Sequence, residues 1–149
     1  MNLKSFKVAA AAIAMVGMVF TGCKGEDGDD GAAGNANVSS SNYEVVAGDW
    51  SQGQAHKMNG AITNGVVNSG TVQAFQATDS INSKVWTAIP AGNFAFSYRT
   101  DTITFLTPGF TGANFTTYYK VVAIPAAAKI DGVDLTNFEE VNMVYGLED

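Results

Sequence analysis

One thiol and a cluster of carboxylates hold the densest chemistry in the sequence. Cys23 is the only cysteine of 149 residues, and Glu26, Asp27, Asp29 and Asp30 follow it within seven positions. Hard oxygen ligands this close suggest a calcium loop, but an EF-hand needs D-x-[DN]-x-[DN]-G and a Glu at its twelfth position. No register from Glu26 to Gly31 supplies the first three ligands, so no dedicated metal site is expected. A single thiol also lacks the second cysteine of a disulfide or the histidines of a soft-metal site.

Elsewhere the reactive side chains are scattered. His56 is the only histidine and reads as a strand-face residue. There is no G-x-S-x-G, and any nucleophilic triad would have only His56 as its base. Glycosidase chemistry needs two carboxylates facing each other across a sugar. Glu44, Asp49, Asp79, Asp101, Asp131, Asp134, Glu139 and Glu140 are available, but most fall at turns or in the terminal segment. The sequence therefore points away from an enzyme, with no catalytic residues, no metal ligands and no cofactor.

Aromatic residues offer the better binding candidates. Trp50, Trp86, Tyr43, Tyr98, Tyr118 and Tyr119 are the side chains able to stack on a sugar or anchor a protein partner. Trp86 in "KVWTAIP" reads as core, and Trp50 in "VVAGDW" can plug the core. Tyr118 and Tyr119 are adjacent, so on a strand they point to opposite faces and one is expected outside. Trp50, Tyr118 and Tyr119 are the candidate binding residues. Asp79-Ser80-Ile81 and Asp101-Thr102-Ile103 resemble Asp-(Ser/Thr)-aliphatic O-glycosylation sites of some exported bacterial proteins, which makes Ser80 and Thr102 candidate modification sites.

These residues must be delivered and positioned by three segments. Residues 1–22 open with Lys4 and Lys7 and continue through the apolar run Val8–Phe20, the pattern of a secretory signal. The run is shorter than the roughly 20 apolar residues of a membrane span. Phe20-Thr21-Gly22-Cys23 resembles a bacterial lipobox, with Phe20 in place of the usual Leu. The resemblance implies acylation of Cys23, which becomes the first residue of the mature chain. An exported protein with one unpaired cysteine suits that reading, because oxidising compartments favour even counts.

Residues 23–36 form the expected tether. Gly25, Gly28, Gly31 and Gly34 give four Gly-X-Y triplets without proline. A collagen triple helix needs proline or hydroxyproline in many of its other positions, and three chains of adjacent acids would repel. The segment instead resembles the short collagen-like spacers of some bacterial surface lipoproteins, a leash reaching roughly 50 Å at most. Lys24 followed by Glu26, Asp27, Asp29 and Asp30 is similar to the Lys-then-acid signals that export lipoproteins to the outer surface of Gram-negative cells. Losing Lys4 and Lys7 with the signal shifts the net charge from −6 to −8. Nucleic acid and anionic lipid head groups are thereby disfavoured as partners. The bilayer contact expected is the acyl group on Cys23.

Residues 37–149 carry period-two alternation in Thr, Val, Tyr and Phe. Strands are predicted near 41–47, 55–59, 71–77, 84–89, 94–99, 102–107 and 117–124. Asp101 suits a tight hairpin turn between the fifth and sixth. Seven strands without a cysteine suggest an all-β, two-sheet antiparallel sandwich with no disulfide. "AITNGVVNSG" reads as an irregular crossover or one helical turn. Thr136-Asn-Phe-Glu139 reads as a capping box opening a short helix at 137–145, with Phe138 and Val141 packing on a sheet edge or open end.

Cys23-Lys24-Gly25, the Gly-X-Y spacer, "NANV", "GDW", "VWTAIP", "YYKVVAIP" and "NFEEVNMVYGLED" together resemble a family of small bacterial surface lipoproteins with a β-rich C-terminal domain. The resemblance implies localisation and architecture and says nothing of activity. The expectation is an outer-membrane, surface-facing lipoprotein whose domain is a non-catalytic module binding a glycan or an envelope protein. The alternative is a structural subunit or decoration of a cell-envelope assembly.

Overall fold

The computed structural model describes residues 37–108 and 115–147. The signal, Cys23 and the tether with Lys24, Glu26, Asp27, Asp29 and Asp30 lie outside the described residues. Seven strands run as β1 Ser39–Val45, β2 Gln54–Met58, β3 Thr71–Ala77, β4 Thr87–Ile89, β5 Ala95–Arg99, β6 Thr102–Leu106 and β7 Thr117–Ile124. Helix α1 spans Asn64–Ser69 between β2 and β3, and helix α2 spans Phe138–Tyr145.

The strands form two antiparallel sheets, one ordered β1-β7-β3-β4 and the other β2-β6-β5. This is the expected sandwich with its closing helix. One core lies between the sheets. Val45, Val72, Ala74, Ile89, Tyr119, Val121 and Ala123 of the larger sheet meet Ala55, Ile103 and Phe105 of the smaller. A second core lies on the other face of the larger sheet. There Phe75, Ala77, Val122 and Ile124 pack with Trp86 and with Phe138, Val141 and Tyr145 of α2. The larger sheet is thus a middle layer, covered on both faces. A strand covered twice must be apolar on both sides, and all of β7 except Tyr118 is buried.

Local chemistry sets the boundaries. Thr100 and Asp101 make the two-residue turn between β5 and β6, with Asp101 in the left-handed region at φ 57°. Asparagine and aspartate tolerate that conformation better than most residues. The segment read as a crossover or single turn is α1, capped by Thr63, whose Oγ1 accepts the Val66 N–H at 3.3 Å. Gly70 is its C-cap, in extended backbone, and a Cβ there would lie 2.5 Å from the Ile124 carbonyl oxygen, which leaves room for glycine alone.

Three expectations are corrected. The predicted strand 84–89 is paired only over Thr87–Ile89, because residues 80–86 form a loop with internal hydrogen bonds. The cap of α2 is Asn137, one residue later than expected, and its Oδ1 accepts the Glu140 N–H at 3.3 Å. Thr136 instead bonds through N–H and hydroxyl to the Asp134 carboxylate, at 2.9 and 2.7 Å. Gly146 stops the helix in the left-handed region at φ 57°. Phe138 and Val141 pack on the sheet face rather than on its edge or open end.

Candidate functional site

Two of the three aromatic binding candidates are core residues. Tyr119 is fully buried, its ring stacked on Phe105 at 3.8 Å between the sheets. Burial pushes its phenol pKa well up, which the neighbouring Thr117 hydroxyl only partly offsets. Trp50 is 8% exposed and packs at 6.1 Å from Phe115. Neither ring offers a face to a ligand. Tyr118 does point the other way, as alternation requires, but it lies half-buried against the second core. Two adjacent tyrosines are both covered because the sheet is covered twice.

The remaining candidates have structural duties. His56 Nδ1 lies 2.8 Å from Thr104 Oγ1 across the β2–β6 pair. Asp49 pairs with Lys57 at 2.9 Å, and that hydrogen bond, with the Val46 N–H, holds its carboxyl below the usual carboxylate range. Asp79 is likewise lowered, by the Ser83 side chain and then the Ser80 N–H. Thr136 does the same for Asp134. Ser80 is half-buried on the β3–β4 loop, whereas Thr102 sits inside β6, paired with Met58 and Arg99. Among the described residues no group of three or more His, Cys, Asp or Glu could hold a metal ion, and no helix is long and apolar enough to cross a membrane.

The side chains that do converge come from β1, β7, the β3–β4 loop and α2. They line a cleft of about 590 Å³, within the range of small-molecule sites. Its deepest residue is Lys120, only 2% exposed, on the face of β7 that α2 covers. Asn42 of β1 and Phe75 of β3 flank it in register. Its Nζ stands 5.3 Å from the Trp86 ring centroid and 5.0 Å from that of Phe138, within the reach of a cation–π contact. Asn142, one helical turn along α2 from Phe138, also lines the cleft. Its Oδ1 is buried and accepts no hydrogen bond among the described residues. A buried polar atom left this way is normally satisfied by water or a ligand.

The walls are Asn82, Ser83 and Lys84 on one side and Glu139 and Met143 on the other. Ser83 Oγ accepts the Val85 N–H at 3.0 Å, which folds the loop back on itself. A second groove of about 400 Å³ runs on past Lys84, Phe138 and Glu139 to Trp86 and Asn137. A third hollow, beside Ala61 and Pro125, is lined by no titratable side chain among the described residues. Among the described residues one carboxylate, Glu139, lines the main cleft, and the pair of acids needed for glycoside hydrolysis is not found among them there.

Lys120 and Asn142 were not singled out from sequence. The usable signal was in β7 itself: Tyr118, Val122 and Ile124 make its second face apolar, so the lysine among them had to lie under a covering layer. Compared with known proteins, the chain matches no family model, no curated protein and no solved structure.

Proposed function

We propose that the chain is a lipoprotein of the Gram-negative outer membrane, held by acyl groups on Cys23 and facing the cell surface. Its folded domain is a non-catalytic glycan-binding module that uses the cleft between α2 and the β3–β4 loop. The observation that carries this reading is the cleft floor. Asn142 presents there a buried amide oxygen that accepts no hydrogen bond among the described residues, and Lys120 lines the same floor. A sugar hydroxyl donates to such an acceptor and accepts in turn from another polar group of the walls. Asn42, Asn82, Ser83 and Glu139 add further short polar groups around the walls.

A protein partner fits less well. Standard interfaces bury about 800 Å² per partner around exposed aromatic or arginine anchors. Here the exposed large apolar residues, such as Met58, Val85 and Met143, are spread over different elements. The test is a glycan array probed with soluble residues 24–149. Saturable binding that Asn142→Leu weakens supports the module. Retention in a large envelope complex, with no glycan bound, would favour the structural-subunit alternative.

A further inference from the structure

Four strands end the two sheets: β1 and β4 the larger, β2 and β5 the smaller. A strand edge carries unpaired N–H and C=O groups and invites a further strand unless it is short, charged or covered. Three of the four edges are treated in one of these ways. β4 has three residues and runs into Pro90. β2 bears Lys57, folds its first residue back on Ser51 through hydrogen bonds of 2.8 and 2.9 Å, and gives the Met58 carbonyl to the Tyr43 hydroxyl at 2.9 Å. β5 ends in Arg99 and packs against α1, where Thr100 Oγ1 donates to Asn64 Oδ1 at 2.6 Å. Among the described residues β1 has none of these devices. It is seven residues long, SSSNYEV, without proline, lysine or arginine, and it pairs there with β7 alone.

We propose that the outer edge of β1 pairs antiparallel with β1 of a second copy of this chain, joining the two four-stranded sheets into one. A two-fold pair is self-complementary, so each register sets one residue opposite itself. The register that pairs all of Ser39–Val45 puts Asn42 on the axis. Ser40 and Glu44 then face each other, hydroxyl to carboxylate, and Ser41 faces Tyr43. Centring on Glu44 instead would oppose two carboxylates, which is unfavourable. Ser40, Asn42 and Glu44 lie on the α2 face of the sheet, beside Val122, Lys120 and Tyr118. Asn42 lines the cleft, so the pair brings two clefts together on one face. The contact goes beyond the glycan reading and does not need it. The chain before β1 favours a second copy over a foreign strand. Antiparallel pairing sets the two copies of Ser39 at opposite ends, roughly 20 Å apart. From Cys23 to Asn37 the chain spans roughly 50 Å at most, so both cysteines reach one bilayer. Two copies anchored there meet at the raised effective concentration that a single strand pair requires; this step rests on the acylation of Cys23.

The experiment is oxidative cross-linking of the full chain in intact cells, with single cysteines placed on β1 and the wild-type chain as the blank. Asn42→Cys is expected to give a covalent homodimer, because directly opposed residues stand about 4.5–5.5 Å apart between Cα atoms, within disulfide range. Ser40→Cys alone should give none, whereas Ser40→Cys mixed with Glu44→Cys should give the mixed dimer. Ser40 is half-exposed, and Asn42 and Glu44 are exposed, so these changes leave the fold intact. Ser40→Glu, added to Asn42→Cys, sets a carboxylate against the partner's Glu44 at two places and should lower the yield about tenfold. Adding Glu44→Lys to that chain should restore it. The palmitate label on Cys23, followed in the same cells, reads the anchoring separately, so loss of label and loss of pairing are told apart. Absence of a cross-link at Asn42→Cys, or equal cross-linking of Ser40→Cys alone, overturns the pairing. Capture of a different protein by Asn42→Cys overturns the second copy in favour of a foreign strand.

Discussion

Lys120 Nζ stands 5.0 Å from the centre of the Phe138 ring, and this contact fastens helix α2 to the central strand of the larger sheet. Phe138 also meets Phe75 edge-on at 5.1 Å and Trp86 at 5.9 Å. One side chain therefore closes the second core and roofs the buried cation. Phe138→Ala should destabilise the domain by about 3–5 kcal/mol, read as a shift in the denaturant midpoint. A loss below 1 kcal/mol would mean that α2 is only loosely attached.

Trp50→Ala and Tyr119→Ala should each cost about 3–5 kcal/mol of stability, because both rings fill the core between the sheets. In the fraction that remains folded, glycan affinity should be unchanged. A folded Trp50 or Tyr119 variant that loses the ligand would return those rings to the binding site.

Gly70→Ala should destabilise by about 1–3 kcal/mol, the usual cost of forcing an extra atom into a packed site. Its Cβ would meet the backbone carbonyl of Ile124 and the backbone of Val66, neither of which can rotate away. Thermal melting of the variant checks this directly.

Acid should weaken the fold in a defined window. The carboxyls of Asp49, Asp79 and Asp134 all titrate below their ordinary range because they accept hydrogen bonds in the folded state. Their contribution is present above the unfolded carboxylate pKa and is lost as pH falls through the lower folded values. Stability should be nearly flat from pH 7 to 5 and drop below about pH 4. Lys57→Met should raise the Asp49 pKa toward the usual value, seen by NMR titration, and cost under about 1 kcal/mol since the pair is partly exposed.

The fold was largely legible because alternation is a local signal. The runs around Phe96, Ile103 and Tyr119 each show their period within five to eight residues, and Asp101 marked the hairpin between two of them. What alternation cannot show is how many faces of a sheet are covered. Parity put one of Tyr118 and Tyr119 outside, yet Tyr119 is buried between the sheets and Tyr118 is half-buried against the second core. The cleft was illegible for the same reason. Asn42, Lys84, Lys120 and Asn142 come from four separate elements, and only strand pairing and the docking of α2 bring them together.

The anchoring claim has a separate check. Cys23→Ser should abolish incorporation of labelled palmitate and release the protein from the membrane fraction, since stable attachment requires the acyl chains. Surface display predicts that protease applied to intact cells removes the domain.

The central claim, that the cleft beside α2 is the ligand site, is tested most directly by ¹⁵N-resolved NMR of residues 24–149 titrated with the glycan that the domain binds. The expected result is a cluster of saturating shifts at Asn42, Ser83, Lys84, Lys120 and Asn142, with the β2-β6-β5 sheet unmoved. Saturating shifts centred on that second sheet, with Lys84 and Asn142 unchanged, would contradict it.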